Sequence, residues 1–401
     1  MAAESAAGSA AGPAAGAVAR HRRQPLHTAY VPADAYDAGT AMSWGEQALD
    51  AVERHGVPAR ELSAATGLPV PEVAGVLART VAKLQREPVE DLRIDFEDGY
   101  GLRRDDSEGA DAVRTARALA ESLQAGGAPP FHGIRIKSVE PDTRTRALRT
   151  LRLFVAELAG ADRLDDGFVV TLPKASSVAE VAELVQVCTD LEREHTLPHG
   201  RLRLEIQVET PRAILAADGT CPLPAMIAAS DGRCVGLHYG TYDYSAALGI
   251  APDQQSSNHP VADHAKQVMQ VAAAAAGVAA VDGSTNILPV GGRRAVRAAW
   301  RVHAGLVTRA LERGFHQGWD LHPAQLVTRY LATYAFYRSG SSTALRRLRA
   351  YLDTRDSGFL DEPATAAALA GFLLRGLDCG ALDDAEVSGL DRDFLVALTQ
   401  R

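Results

Sequence analysis

The sequence predicts an α/β protein built on a (β/α)₈ barrel. Three observations carry that expectation. Eight short apolar, β-rich runs recur along the chain, amphipathic segments lie between them, and several of the runs are hydrophobic without alternation. Strands buried on both faces read in that last way, and eight of them alternating with helices is the count of a closed parallel barrel. A doubly wound open sheet is the structural alternative.

The runs are His27–Val31, Leu92–Phe96, Gly133–Ile136, Phe168–Leu172, Leu202–Val208, Cys234–His238, Val278–Val281 and Trp319–Leu321. Between them Gly109–Gln124, Thr143–Leu158, Val178–Glu194 and Val261–Ala276 place apolar residues at helical spacing. The Ala/Gly/Ser-rich stretch 1–25 reads as a disordered tail. The connection from Val31 to Leu92 is about twice what a β/α crossover needs, so 38–90 reads as a helical insertion in a barrel domain spanning 26–337. Helical periodicity continues through 338–401, over Ser342–Leu352, Glu362–Leu374 and Ala385–Leu398, with Ser339-Gly340-Ser341-Ser342 as a linker into that extension.

Composition narrows the function. The chain has 401 residues, 46% of them hydrophobic, and a formal charge of -8. That acidity argues against a nucleic-acid surface. No apolar run is long enough for a membrane helix, and no secretory leader is evident, so we expect a cytoplasmic protein with neither nucleic acid nor membrane as partner. Cys188, Cys221, Cys234 and Cys379 form no C-x-x-C pair and signal neither zinc nor a disulfide framework. Only four lysines occur, so each invites a reason.

In a barrel, reactive groups stand just after the strands. Those positions read Asp95-Phe96-Glu97-Asp98-Gly99, Arg135 and Lys137, Lys174, Glu209-Thr210, Gly240-Thr241-Tyr242-Asp243, Asp282-Gly283 and His322-Pro323. Acids, an arginine and lysines converging on one face make an anion site around a divalent cation. Hard carboxylates with no cysteine and little histidine favour Mg²⁺ or Mn²⁺ over Zn²⁺. Each residue alone has a bland reading as a helix cap or salt-bridge partner, and His322 before proline reads as structural. Jointly they are harder to dismiss.

Taken in order, the motifs are Ala29-Tyr30-Val31-Pro32-Ala33-Asp34, Asp95-Phe96-Glu97-Asp98, Ile134-Arg135-Ile136, Leu172-Pro173-Lys174 and Val208-Glu209-Thr210. They continue with Gly240-Thr241-Tyr242-Asp243, Ala280-Val281-Asp282-Gly283 and Leu321-His322-Pro323-Ala324-Gln325. This series resembles the HpcH/HpaI aldolase and citrate lyase β-subunit (malyl-CoA lyase-like) family of the pyruvate/phosphoenolpyruvate-binding superfamily, over about 27–335. The resemblance implies a Mg²⁺-dependent carbon–carbon lyase. It would cleave or form a 3-hydroxy acid, free or as its CoA thioester, with a 2-oxo acid such as glyoxylate or pyruvate as product.

By the same resemblance Glu209 and Asp243 hold Mg²⁺ or Mn²⁺, and Arg135 clamps a carboxylate and carbonyl with its planar fork. Glu97 or Asp98 moves the hydroxyl proton. Lys174, Asp95 and Thr241 complete the substrate contacts. The family assembles as homo-oligomers, trimers or hexamers, and the apolar stripe of Leu369, Phe372 and Leu373 supplies a face that oligomerisation would cover. The family's C-terminal lid has no counterpart over Asp378–Asp393, and Tyr242 and Tyr244 either narrow the pocket or pack on the rim.

Two other readings stay open. Lys174 could serve a Schiff-base aldolase, although Glu209 and Asp243 would then lack a task. Ala59–Val73 has helix-turn-helix spacing with Gly67 in the turn, but the second helix would carry Glu72 first and Arg79 as its first basic residue. A decorative helical insert is the plainer account than a regulatory DNA-binding protein.

Overall fold

The structure is a computed structural model, and it describes residues 23–353, 362–387 and 389–400. Eight parallel strands form the centre: β1 (His27–Pro32), β2 (Asp91–Asp95), β3 (Phe131–Arg135), β4 (Phe168–Leu172), β5 (Arg203–Val208), β6 (Cys234–Tyr239), β7 (Ala279–Val281) and β8 (Gly318–Asp320). Each of the eight apolar runs became a strand, within two residues at either end.

The strands are hydrogen-bonded in the order β7-β6-β5-β4-β3-β2-β1-β8. The pairing of β1 with β8 bends the sheet into a barrel, which disposes of the open-sheet alternative. At the β7–β8 seam a single backbone bond, Asp282 N to Gln317 O at 2.9 Å, spans the gap. Tyr30, Val281 and Trp319 pack together there as a small cluster of their own.

Fourteen helices were found among the described residues. Within the long first connection lie α1 (Thr40–His55), α2 (Ala59–Thr66) and α3 (Val70–Arg86). Around the barrel run α4 (Asp105–Ala125), α5 (Arg144–Gly160), α6 (Val178–Glu194), α7 (Pro211–Ile214), α8 (Leu223–Ala229), α9 (Thr241–Ala247), α10 (Pro260–Ala276) and α11 (Arg293–Glu312). The chain closes with α12 (Gln325–Leu352), α13 (Pro363–Asp378) and α14 (Arg392–Thr399). Their limits follow local chemistry. Ser177 and Glu180 form a reciprocal capping box at the start of α6, and Gly277, left-handed at φ 69°, ends α10.

Two expectations are corrected, and a third falls mostly outside the described residues. The supposed linker Ser339–Ser342 lies inside α12, because Gly340 lets the Phe372 ring of α13 approach closely and the Ser339 and Ser341 hydroxyls bond back to Phe336 O and Arg338 O. The helix expected over Ala385–Leu398 is broken by Gly389 at φ 88°, and α14 restarts at an Asp391 cap. The expected disordered tail 1–25 lies outside the described residues up to 22. Its last residues are fastened, since Arg23 bonds Glu87 at 3.0 Å and Glu90 at 2.7 Å.

The second helix of the helix-turn-helix spacing is packed within the chain. α3 packs on α1, α2 and α12, and Arg79 is tied to Asp383 and Glu386 of the C-terminal region. The stripe of α13 is likewise covered within the chain. Leu373 is fully buried in a second core with α12 and α14, and Phe372 stacks against Phe336 and Tyr337. No helix among the described residues is long and apolar enough to cross a membrane.

Candidate active site

At the C-terminal ends of the strands a cavity of about 370 Å³ opens between Tyr30, Asp98, Arg135, Glu209, Asp243 and Trp319. Its organising pair comes from neighbouring strands. Asp95 and Arg135 stand opposite each other at the last register position of β2 and β3. The fork closes there: Arg135 Nε donates to Asp95 Oδ1 at 2.7 Å and Nη2 to Oδ2 at 2.6 Å. Asp95 also accepts from Glu97 N at 2.8 Å and Gly99 N at 2.9 Å, so it shapes the turn that carries Glu97 and Asp98. Asp95 is 1% exposed with both oxygens engaged. It holds Arg135 in place and also lines the cavity, where the sequence suggested a substrate contact.

Arg135 is held from its other face as well. Its guanidinium carbon lies 4.7 Å over the Tyr30 ring, a desolvated cation–π contact. Tyr30 in turn leans on Trp319 with centroids 4.7 Å apart and accepts from Gln207 Nε2 at 3.1 Å. The nitrogen not bonded to Asp95, Nη1, lies 3.5 Å from Glu97 Oε2.

The acids gather around one ammonium. Lys174 Nζ bonds Glu97, donates to Asp98 Oδ1 at 2.9 Å and lies 3.7 Å from Asp243 Oδ2. Its backbone is left-handed at φ 52°, and its amide donates to Glu209 Oε1 at 2.7 Å. Glu209 and Glu97 are buried, whereas the Asp98 and Asp243 side chains are about half exposed. Burial pushes the Glu209 carboxyl up to about 8; Arg135 opposes the shift, while Asp243 and Glu97 add to it. Glu97 rises to about 7, again mainly through burial, with Asp98 adding to it. Asp243 is raised by burial and by Asp98, and Asp98 is lowered by its bonds with Glu97 and Lys174 despite burial.

Four carboxylates thus share too little positive charge, since Asp95 already occupies two nitrogens of Arg135. Their hard oxygen donors suit Mg²⁺ or Mn²⁺, which would relieve the repulsion, so the residues fit such an ion. No group of three His, Cys, Asp or Glu side chains stands ready as a metal cage among the described residues. Glu209 and Asp243 would therefore hold the ion with ligands from outside the protein.

Other expectations resolve case by case. Thr241 is buried and donates to Ser284 O at 3.2 Å, so it ties the β6 and β7 loops together while lining the cavity. Lys137 is not at the site: it is buried, donates to Phe96 O and to Gly101 O at 3.2 Å, and pairs with Glu108. Asp282 is occupied by Lys266 at 2.8 Å, and His322 Nδ1 accepts from Ala324 N at 3.1 Å in a local cap. The two tyrosines divide. Tyr242 lines the cavity with its hydroxyl accepting from Asn286 N, while Tyr244 packs edge-on against Tyr239.

Tyr30, Gln207, Trp319 and Gly240 were not assigned roles from the sequence. Tyr30 lay in a quoted motif, but a strand buried on both faces gives no alternation to tell barrel interior from exterior, so its place against Arg135 was not legible. Gly240 lay in a quoted motif; any side chain there would overlap Glu209.

Fold and site together define a (β/α)₈ barrel with an acid, arginine and lysine cluster at its C-terminal mouth. Within that class the chain belongs to the family described as a domain of unknown function, DUF6986, whose sequence model matches residues 16–401. A segment of 96 residues is 36% identical to an L-malyl-CoA/β-methylmalyl-CoA lyase of Haloarcula marismortui, 24% of this chain and 25% of that protein. The chain thus matches only about a quarter of that relative's length. A citrate lyase from Burkholderia xenovorans shares the fold with a TM-score of 0.61 and 20% identity, covering 92% of this chain and 97% of its own. A malate synthase of Haloferax volcanii does so with a TM-score of 0.53 and 16% identity, over 95% and 99%. The resemblance read from the eight motifs therefore holds at the level of the fold and of one aligned segment.

Proposed function

We propose that the protein is a divalent-metal-dependent carbon–carbon lyase, or acts in the reverse, condensing direction. It would interconvert a 3-hydroxy acid, free or as its CoA thioester, with a 2-oxo acid such as glyoxylate or pyruvate. The observation that carries this reading is the crowding of Glu97, Asp98, Glu209 and Asp243 around one cavity beside an oriented Arg135. A cavity of about 370 Å³ accommodates a compact hydroxy acid.

Mg²⁺ or Mn²⁺ held by Glu209 and Asp243 would polarise the carbonyl oxygen and offset developing negative charge. The chain's own residues supply the rest. Arg135, anchored through Nε and Nη2 by Asp95, offers its remaining edge to the oxo-acid carboxylate. In the cleavage direction Glu97 or Asp98 accepts the hydroxyl proton as the carbon–carbon bond breaks, and the electron pair leaves on the departing fragment as an enolate. A raised carboxyl such as Glu97, near 7, suits a group that takes and returns a proton. Lys174 holds Glu97 and Asp98 in place.

A Schiff-base route through Lys174 is disfavoured. Burial would lower its ammonium, but Glu97 and Asp98 outweigh that and hold it well above its ordinary value. A nucleophilic lysine needs the opposite shift. The test is release of glyoxylate or pyruvate from malate-like and citramalate-like compounds, free and as CoA esters, with and without Mg²⁺. Borohydride trapping in the presence of a 2-oxo acid reports on the imine route. If no compound is cleaved and neither oxo acid binds the metal-loaded protein, the lyase reading is abandoned.

A further inference from the structure

The barrel holds a second cavity, at the end opposite the acid cluster. It measures about 420 Å³ and is bounded by the first residues of five strands, Asp91, Phe131, Arg203, Cys234 and Ala279. Its charged wall is unevenly matched. Arg93 is 1% exposed and fully answered, bonding Asp91 and both oxygens of Glu205, at 3.0 and 2.7 Å. Arg23 is answered by Glu87 and Glu90. The Arg203 side chain has neither an ion pair nor a hydrogen bond among the described residues.

Three residues lining this cavity carry a buried nitrogen without a hydrogen-bond partner among the described residues. They are Arg23 Nε, Arg203 Nη2 and His238 Nδ1. The two arginine nitrogens are donors only. His238, 2% exposed with Nε2 3.0 Å from Glu205, leaves its Nδ1 without a partner. Buried donors without acceptors are costly, so a cavity that leaves them unanswered is built to receive something.

We propose that this cavity binds a small oxyanion of the phosphate or carboxylate class, with Arg203 as its charged anchor. Such a ligand would supply acceptors to the unanswered nitrogens and a counter-charge to the one unpaired guanidinium. The surrounding Phe131, Val169 and Val278 would exclude water and strengthen the contact. The site is separate from the acid cluster and does not rest on the lyase reading.

Calorimetry on the full chain with inorganic phosphate, and separately with malonate, tests this and tells the two oxyanion sources apart. At least one should bind, and Arg203→Gln should weaken that binding by about tenfold or more. Because the Arg203 side chain makes no bond to the described residues, the variant should fold, which circular dichroism checks. Arg203→Lys, which keeps the charge, should retain intermediate affinity. Absence of binding by both anions overturns the proposal, as does equal binding in Arg203→Gln.

Discussion

The Arg135 guanidinium meets Asp95 on one edge and the cavity on the other, and lysine could serve only one of those tasks. Arg135→Lys should therefore lower kcat/KM by more than a conserved charge suggests, about 2–4 kcal/mol of transition-state stabilisation. Arg135→Met should in addition destabilise the fold by about 3–5 kcal/mol, because it strands the buried Asp95 carboxylate; urea unfolding measures this. Gly240 offers a subtler probe. A methyl group there would overlap the Glu209 side chain, so Gly240→Ala should displace that carboxylate. Weaker Mg²⁺ binding by calorimetry, with the overall fold kept in circular dichroism, is the expected result.

At the scale of elements, the joint between the first strand, its insertion and the barrel rests on one buried acid. Glu90 accepts from Leu26 N at 2.9 Å and pairs with Lys83 and Arg23. Burial works against its charge, but Lys83 and Arg23 outweigh burial and bring the carboxyl down to about 2 from its ordinary 4.5. A depressed folded pKa adds stability above about 4.5 that is lost as pH falls towards 2. Acid unfolding of Glu90→Gln should accordingly show a shallower pH dependence over that window than the unchanged protein. Strand packing sets a harder limit at Gly133, where a methyl group would overlap the Val169 carbonyl oxygen of the next strand. Backbone cannot yield as a side chain can, so Gly133→Ala should cost about 3 kcal/mol or more and reduce soluble yield.

For the whole molecule, the proposed metal couples function to stability. An ion bound only by the folded state raises stability by about 2.7 kcal/mol at a hundredfold excess over its dissociation constant. Mg²⁺ should then raise the melting temperature of the unchanged chain but not of Glu209→Gln, and EDTA should abolish any lyase activity reversibly. A shift that survives Glu209→Gln would locate the ion elsewhere. The α13 stripe packs inside the chain, so it no longer argues for a trimer or hexamer.

The barrel was legible in the chain because doubly buried strands and amphipathic helices are local signals, repeated eight times, and each depends on residues close in sequence. The candidate site was legible as a set for the same reason: barrel geometry sends every strand-end residue to one mouth, so Glu97, Asp98, Arg135, Lys174, Glu209 and Asp243 could be gathered without coordinates. Their partners could not. That Asp95 grips Arg135, that Tyr30 lies under its guanidinium and that Lys137 turns away to Glu108 all depend on pairings between residues 29 to 105 positions apart, or on side-chain direction alone. The same holds for the Ser339–Ser342 run, a linker by composition but a close helix contact once Phe372 arrives. Local pattern determined which elements form and which ends they present; tertiary packing decided which charges are already answered and which, like those of the acid cluster and of Arg203, still await a partner.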